Sequence, residues 1–196
     1  MKRVHVIKER CVACHQCETA CAIEHSSTKT LFGAVGEDVP PPSRITIRRT
    51  KDRRWSIAIK CRHCNPAPCF TSCPTGAIER DIMTGYVLIN ENKCIGCKRC
   101  LPACPFGVIQ IGITTISGKR HYVAQKCDEC SSITPNEISP ACVASCPTGA
   151  LVYTDDNDEL IDLKQTALLH ISDSKSEATD SPCNYAAFFS LKTSTV

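Results

Sequence analysis

The chain has 196 residues, a formal net charge of +3, 5% aromatic residues and 17 cysteines. This length allows one domain or two small ones, and the scarcity of aromatic side chains leaves any hydrophobic core thin. Residues 1–10 lack the apolar stretch of a secretory signal, and no apolar run is long enough to span a bilayer. We therefore predict a cytoplasmic protein whose clustered cysteines bind metal instead of forming the disulfides of a secreted scaffold.

Sixteen of the cysteines fall into four quartets that repeat along the chain. The first and third quartets have the spacing C-x2-C-x2-C-x3-C, the second widens the middle gap to four residues, and the fourth opens it to eleven. The predicted metal ligands are Cys11, Cys14, Cys17, Cys21, Cys61, Cys64, Cys69, Cys73, Cys94, Cys97, Cys100, Cys104, Cys127, Cys130, Cys142 and Cys146. Cys183 is left over, and we expect it to be a free surface thiol.

The quartets differ in the residues that follow the last cysteine. The second, third and fourth continue as CPTGAI, CPFGVI and CPTGAL. The Pro ends a short helix, the Gly allows a tight turn, and the apolar pair then begins a strand. The first quartet continues as CAIEHSS and lacks the Pro and the Gly. This predicts that the helix carrying Cys21 continues through Ala22, Ile23 and Glu24.

Short β-branched runs predict strands between the quartets. In chain order these strands are Arg44–Thr50, Trp55–Lys60, Tyr86–Asn90, Val108–Ile116, His121–Gln125 and Leu151–Tyr153. The first two are expected to form a hairpin around residues 51–54, and the fourth and fifth a second hairpin around residues 117–119.

The spacing of the cysteines favours iron–sulfur clusters. Three cysteines at x2, x2 spacing can hold three iron corners of one cubane, and the fourth cysteine, about one helical turn further on, points to a neighbouring cluster. For the fourth quartet alone, a four-thiolate zinc site is the alternative. Four oxidised clusters of about −2 each would change the formal charge from +3 to about −5. We therefore expect the basic segment 48–54 to be a solvated hairpin tip and not a nucleic-acid-binding arm.

The sequence contains no constellation that would carry catalysis. Neither a G-x-G-x-x-G loop nor a phosphate-binding loop is present. His15 and His63 lie inside quartets and are candidates to tune a cluster through a hydrogen bond to sulfur. Four fully ligated clusters without a catalytic residue predict a non-catalytic protein that relays single electrons between other redox proteins.

The order of the quartets predicts an α+β fold with two interlocked ferredoxin-like halves, each holding two [4Fe-4S] clusters, and inserted β-hairpins. The second and third quartets are adjacent and form one half; by elimination the first and fourth form the other. The expected limits are 1–155 for the whole domain, 1–25 with 120–155 for half one, 56–112 for half two, 26–55 for an insertion, 156–171 for a C-terminal helix and 172–196 for a disordered tail.

Over residues 3–155 the arrangement resembles the four-cluster iron–sulfur electron-transfer subunits related to that of dimethyl sulfoxide reductase. The hallmarks are the N-terminal first quartet, the widened second quartet and the long gap in the fourth. The segment CETACAIEHSSTKTLFGAVGEDVPPPSRITI looks most like the iron–sulfur subunit of anaerobic carbon monoxide dehydrogenase. This resemblance implies a carbon monoxide dehydrogenase as electron donor and a hydrogenase or other reductase as acceptor. The alternative partners are a formate dehydrogenase, a hydrogenase or a molybdenum oxidoreductase.

The same resemblance implies how the ligands are shared among four [4Fe-4S] clusters. Each cluster would take three cysteines from one quartet and the last cysteine of another. The implied sets are Cys11, Cys14 and Cys17 with Cys146; Cys127, Cys130 and Cys142 with Cys21; Cys61, Cys64 and Cys69 with Cys104; and Cys94, Cys97 and Cys100 with Cys73.

Overall fold

The computed structural model describes residues 2–50, 55–131 and 139–155. Its strands are β1 (Arg3–Val6), β2 (Thr46–Arg49), β3 (Ser56–Ile59), β4 (Ile78–Arg80), β5 (Val87–Ile89), β6 (Gln110–Ile116), β7 (Lys119–Gln125) and β8 (Leu151–Thr154). Its α-helices are α1 (Gln16–Glu24), α2 (Leu31–Gly36), α3 (Pro68–Thr71), α4 (Cys100–Ala103) and α5 (Ala141–Ala144). Single 3-10 turns at Lys8–Arg10 and Glu91–Lys93 precede the first and third quartets.

The strands pair as four separate antiparallel two-stranded sheets: β1 with β8, β2 with β3, β4 with β5, and β6 with β7. Both predicted hairpins are confirmed, although the β6–β7 loop has two residues and not three. These residues, Ser117 and Gly118, have φ values of 50° and 75°, as a tight hairpin turn requires. The small mixed α+β architecture agrees with the predicted class.

Strand β1 was not predicted, although its residues RVHV alternate between polar and β-branched side chains; it has only four residues and no turn signal at its ends. It pairs with β8 in the register Val4 opposite Tyr153 and Val6 opposite Leu151. The pairing brings the start of the chain beside the strand that follows the fourth quartet. Helix α2 was not predicted either; it begins after Thr30, whose side-chain oxygen accepts a hydrogen bond from the Gly33 amide at 3.2 Å.

The helices of the quartets differ in length as the quartet tails predict, but only α1 contains the last cysteine of its quartet; α3, α4 and α5 contain the third cysteine and end before the fourth. Helices α3, α4 and α5 have four residues each, whereas α1 has nine and ends at Glu24. The tail glycines Gly76, Gly107 and Gly149 all adopt positive φ, at 63°, 59° and 61°. Strands β4 and β8 then begin directly at the apolar pairs, and β6 begins one residue later.

Two hydrophobic clusters make up the interior, and cysteine side chains contribute to both. The first contains Val4, Cys17, Cys21, Ile45, Ala58, Cys142 and Leu151. The second contains Ala67, Ile78, Val87, Cys100, Ile109 and Ala124. The first cluster joins elements near the first and fourth quartets, and the second joins elements near the second and third.

The two hairpins cross the limits that the sequence predicts for the halves. Strand β3 lies within 56–112 but pairs with β2 and contributes Ala58 to the first cluster. Strand β7 extends into 120–155 but pairs with β6 and contributes Ala124 to the second cluster. The domain limits and the interlocking of the halves therefore stay predictions. The hairpin tip 51–54, the helix 156–171, the tail 172–196 and Cys183 lie outside the described residues.

Candidate iron–sulfur cluster sites

The loops that carry the cysteines share one backbone feature, a residue with positive φ. In every quartet the residue before the second cysteine has a positive φ: Ala13 (56°), His63 (49°), Gly96 (66°) and Glu129 (58°). Three of the four are not glycine, and a non-glycine residue keeps this conformation only where its surroundings hold it there. Left-handed turns of this kind direct successive N–H groups toward one side of the loop, which suits an anionic ligand.

Gly96 shows how tightly the third loop is packed. A Cβ built there would lie 2.5 Å from the carbonyl oxygen of Tyr122 in β7, whereas a Cβ at Gly107 would meet nothing within 4 Å.

Because both glycines have positive φ, we expect Gly107→Ala to lower the free energy of unfolding by about 1 kcal/mol from backbone strain alone. Gly96→Ala adds an overpacking cost of roughly 1–3 kcal/mol. Thermal unfolding of the two variants measures the difference, and equal melting temperatures would contradict it.

One cavity is lined by four cysteines from the two ends of the described chain. Cys11, Cys14 and Cys17 come from the first loop and the start of α1, and Cys146 lies two residues after the end of α5. We call this the Cys11 site. Apolar side chains, among them those of Val6 and Leu151, complete its wall.

A second cavity repeats the arrangement in the middle of the chain. Cys61, Cys64 and Cys69 of the second quartet line it together with Cys104, the last cysteine of the third quartet. We call this the Cys61 site. As at the Cys11 site, three cysteines of one quartet meet the last cysteine of another, and the remaining wall is mostly apolar.

The other eight predicted ligands form two further groups. Burial raises the pKa of Cys130 to about 12, and the negative charge of Cys21 adds to this. Burial likewise raises the pKa of Cys142, with further contributions from Cys21 and Cys130. Cys21 therefore lies near cysteines of the fourth quartet, and we call Cys127, Cys130, Cys142 and Cys21 the Cys127 group.

The third quartet forms the last group. Burial raises the pKa of Cys100 to about 11, and the charges of Cys94 and Cys97 add to it. Cys73 packs with Cys94 and Cys100 in the second hydrophobic cluster. The charge of Cys69 also reaches Cys100, which places this group beside the Cys61 site.

The donor set fits iron–sulfur clusters. All sixteen cysteines of the four quartets are free thiols, so none is used in a disulfide. Burial keeps many of them protonated, and a bound metal centre would displace those protons. Backbone amides already point at sulfur: Arg44 N–H donates to Cys21 Sγ at 3.3 Å, His63 N–H to Cys61 Sγ at 3.4 Å and Ala124 N–H to Cys94 Sγ at 3.3 Å. Such N–H···S bonds are among the contacts by which proteins tune cluster potentials.

The rings of His15 and His63 do not make the predicted hydrogen bonds to sulfur. His15 Nδ1 lies 2.8 Å from Glu18 Oε2 on the exposed face of α1. His63 Nδ1 accepts the Val87 N–H at 3.0 Å. Burial, with the charges of Lys126 and Lys60, lowers the pKa of His63 to about 2, so the ring is neutral. Its backbone amide, and not its ring, donates a hydrogen bond to a cysteine sulfur.

His25 has the position that the sequence prediction gave to the other two. Its Nδ1 lies 2.8 Å from the Cys21 carbonyl oxygen and 3.7 Å from Cys21 Sγ, and its Nε2 lies 3.3 Å from Asp128 Oδ1. Burial opposes the charged ring, but Asp128 and Cys21 raise the pKa of His25 to about 9. The sequence held a signal for this: once α1 continues past Cys21, the residue four positions on lies on the same helix face.

Known protein families match two parts of the chain. Residues 55–156 match the 4Fe-4S dicluster domain, and residues 8–27 match a 4Fe-4S binding domain. The iron–sulfur protein of Rhodospirillum rubrum is 33% identical over 177 residues, covering 87% of this chain and 91% of that protein. The electron transport protein HydN of Escherichia coli K12 is 37% identical over 157 residues, covering 76% and 85%.

Longer relatives contain the same unit as a part. AegA of Escherichia coli K12 is 40% identical over 149 residues, and the match covers 76% of this chain but only 21% of AegA. Another relative is an electron transfer subunit of a thiosulfate reductase. Within residues 2–50, 55–131 and 139–155, no helix is long and apolar enough to cross a membrane. The cysteine cavities, the two family matches and the full-length relatives together assign the chain to the family of ferredoxin-type 4Fe-4S electron-transfer proteins.

Proposed function

We propose that this chain holds four [4Fe-4S] clusters and relays single electrons, without catalysis of its own, between redox enzymes in the cytoplasm. The observation that carries the proposal is the make-up of the Cys11 and Cys61 sites. In each, three cysteines of one quartet line a cavity together with the last cysteine of another. The Cys127 group and the Cys94, Cys97, Cys100 and Cys73 group would hold the remaining two clusters.

The swapped ligands give the sites an arrangement suited to a relay. Cys17 and Cys21 lie about one turn apart on α1, and they belong to the Cys11 site and the Cys127 group respectively. Because one short helix supplies both, the two sites are neighbours. Cys69 and Cys100 likewise bring the Cys61 site close to the third-quartet group. A bound cluster would supply one-electron chemistry, and the chain's own part is to ligate, space and insulate the clusters.

Iron analysis tests the cofactor proposal. Protein assembled under anaerobic conditions should be brown and contain about sixteen irons, four for each cubane. A colourless protein with zinc in its thiolate sites would contradict the proposal. Zinc at the fourth quartet alone would leave about twelve irons and correct only that site.

For the partners, we propose an anaerobic carbon monoxide dehydrogenase as donor and a hydrogenase or another reductase as acceptor. The support is the resemblance of residues 17–47 to the iron–sulfur subunit of that enzyme, including the extended first-quartet helix. Anaerobic co-purification from the native host tests it, with carbon monoxide dehydrogenase activity expected in the purified complex. Recovery of a formate dehydrogenase or a molybdenum oxidoreductase instead would overturn the partner assignment and leave the electron relay intact.

A further inference from the structure

A basic residue stands immediately before the first cysteine of every quartet. These residues are Arg10, Lys60, Lys93 and Lys126. Their burial divides them: Lys60 and Lys126 are 7% and 3% exposed, whereas the side chain of Lys93 is 53% exposed. Lysine is almost never fully buried without a partner, because an ammonium group loses its hydration on burial. Something other than water must therefore stabilise the charge of each of the two buried lysines.

Lys60 has its counter-ion within the protein. Its Nζ donates to Glu129 Oε1 and, at 3.2 Å, to the carbonyl oxygen of Cys61. The Glu129 side chain is fully buried, and its Oε2 accepts the Val4 N–H at 3.1 Å. Lys60 is thus an ammonium group with a carboxylate partner, and that partner, Glu129, lies between Cys127 and Cys130 of the Cys127 group.

Lys126 has no such partner in the described ranges. Its Nζ donates to two backbone carbonyl oxygens, those of Val87 and, at 3.2 Å, Cys127. No carboxylate of residues 2–50, 55–131 or 139–155 forms an ion pair with it. These two carbonyl groups accept hydrogen bonds but carry no formal negative charge to offset the ammonium.

The place of Lys126 in the fold indicates what compensates this charge. Although it precedes the fourth quartet in sequence, it lines the Cys61 site beside the cysteines of the second. Burial raises the pKa of Cys69, and among the charges that act on this thiol Lys126 is the one that opposes the rise. A cubane with four thiolates carries about −2 when oxidised and one more negative charge when reduced. A cluster bound at the Cys61 site would therefore be an anion beside the Lys126 ammonium.

We propose that the Lys126 ammonium raises the reduction potential of the cluster at the Cys61 site above that of the cluster at the Cys127 group. The inference rests on the four-cluster function proposed above. A buried positive charge stabilises the added electron more strongly than an exposed one, because little solvent screens it. Lys60 exerts a weaker effect on its own neighbour, since Glu129 cancels most of its field. Of these two clusters, the one at the Cys61 site therefore accepts the electron first.

Redox titration of the cluster-loaded protein, followed by electron paramagnetic resonance with dithionite as one-electron donor, tests the proposal. In Lys126→Gln the amide can still donate to the two carbonyl groups, but the charge is gone. We expect one reduction step to move to a more negative potential. Lys126→Arg, which keeps the charge, should restore it. The matched control is Lys93→Gln, which removes an exposed lysine at the same position of the third quartet and should leave every step in place.

A ligand variant assigns the step that moves. The step at the Cys61 site is the one that disappears or changes its spectrum in Cys64→Ala. A shift in any other step, or an equal shift in Lys93→Gln, would overturn the proposal. Unchanged potentials in a fully iron-loaded Lys126→Gln protein would do the same. A wild-type protein that binds no iron would instead refute the proposed function, so the two failures are distinguishable.

Glu129→Gln keeps the proposal testable even where Lys126→Gln fails to assemble. This substitution leaves Lys60 without its counter-ion. The Cys127 group then has a buried ammonium without a carboxylate partner beside it, as the Cys61 site has in Lys126. The cluster at the Cys127 group should move to a more positive potential, and the two steps should approach each other or exchange order. An unaltered titration of iron-loaded Glu129→Gln would show that an uncompensated buried ammonium does not set these potentials.

Discussion

Replacement of Cys14 and Cys146 together by alanine is expected to affect a single cluster, whereas replacement of Cys142 and Cys146 together affects two. The reason is the make-up of the cavities. Cys14 and Cys146 belong to different quartets but line the same Cys11 site. Cys142 and Cys146 belong to the same quartet but to different sites. Cys142 lies near Cys21 in the Cys127 group, whereas Cys146 lines the Cys11 site. If each quartet held its own cluster, the two outcomes would be reversed.

Iron content and spin quantification of the reduced protein measure this difference. The first double variant should lose at most about four irons, and its loss should not exceed that of the more damaging single variant. The second should show two altered clusters, with the losses of the single variants adding. Cys183→Ala, which removes the cysteine outside the quartets, is the control and should keep the full iron content. A first double variant with two altered clusters would refute the sharing of ligands between quartets.

Local chemistry in the sequence was enough to predict much of this arrangement. The sixteen cysteines, the tight turns at Gly76, Gly107 and Gly149, and both hairpins follow from residue spacing and from the known behaviour of Pro and Gly. Each of these features depends on a few consecutive residues. The residue spacing alone is therefore enough to predict them.

The features that the sequence did not reveal depend on distant pairings. Strand β1 is defined by its pairing with β8 at the opposite end of the described chain. The ion pair of Lys60 with Glu129 spans 69 positions, and a lysine beside a cysteine is unremarkable until burial is known. Lys126 shows this most clearly, because it directly precedes Cys127 in sequence and yet lines the Cys61 site. Sequence proximity to a ligand therefore did not identify which site each charge serves.

The first quartet combines both kinds of information. The absence of Pro after Cys21 is a local signal, and it gives α1 the extra turn that the structure shows. That turn places His25 against Cys21 and Asp128, and so links the first quartet to the fourth. Glu18, earlier on the same helix, accepts the Ile47 N–H at 2.5 Å and fastens the β2–β3 hairpin to α1. The longer helix of the first quartet thus supplies contacts to Asp128 and to the β2–β3 hairpin, which the four-residue helices of the other quartets are too short to make in the same way.

Ala22→Pro should abolish this organisation, because it gives the first quartet the Pro that follows the last cysteine in the other three. Proline in a helix interior removes one amide donor and clashes with the preceding turn, at a cost of about 3 kcal/mol or more. It also disfavours helical geometry at Cys21 itself. The bond from the His25 N–H to the Cys21 carbonyl oxygen (3.2 Å) should therefore be lost.

The matched control for Ala22→Pro is the reverse exchange in the fourth quartet, Pro147→Ala. Pro147 is exposed and follows a four-residue helix, so its replacement should change the free energy of unfolding by no more than about 1 kcal/mol, mainly through the entropy of the unfolded chain. Hydrogen exchange should be faster at the amides of residues 23–25 in Ala22→Pro only, and iron analysis should show a loss from the site that Cys21 serves. Because Cys21 reaches the Cys127 group only from the extended helix, the loss should be confined to that cluster. An Ala22→Pro protein with wild-type iron content and melting temperature would mean that the extra turn of α1 is dispensable for ligation.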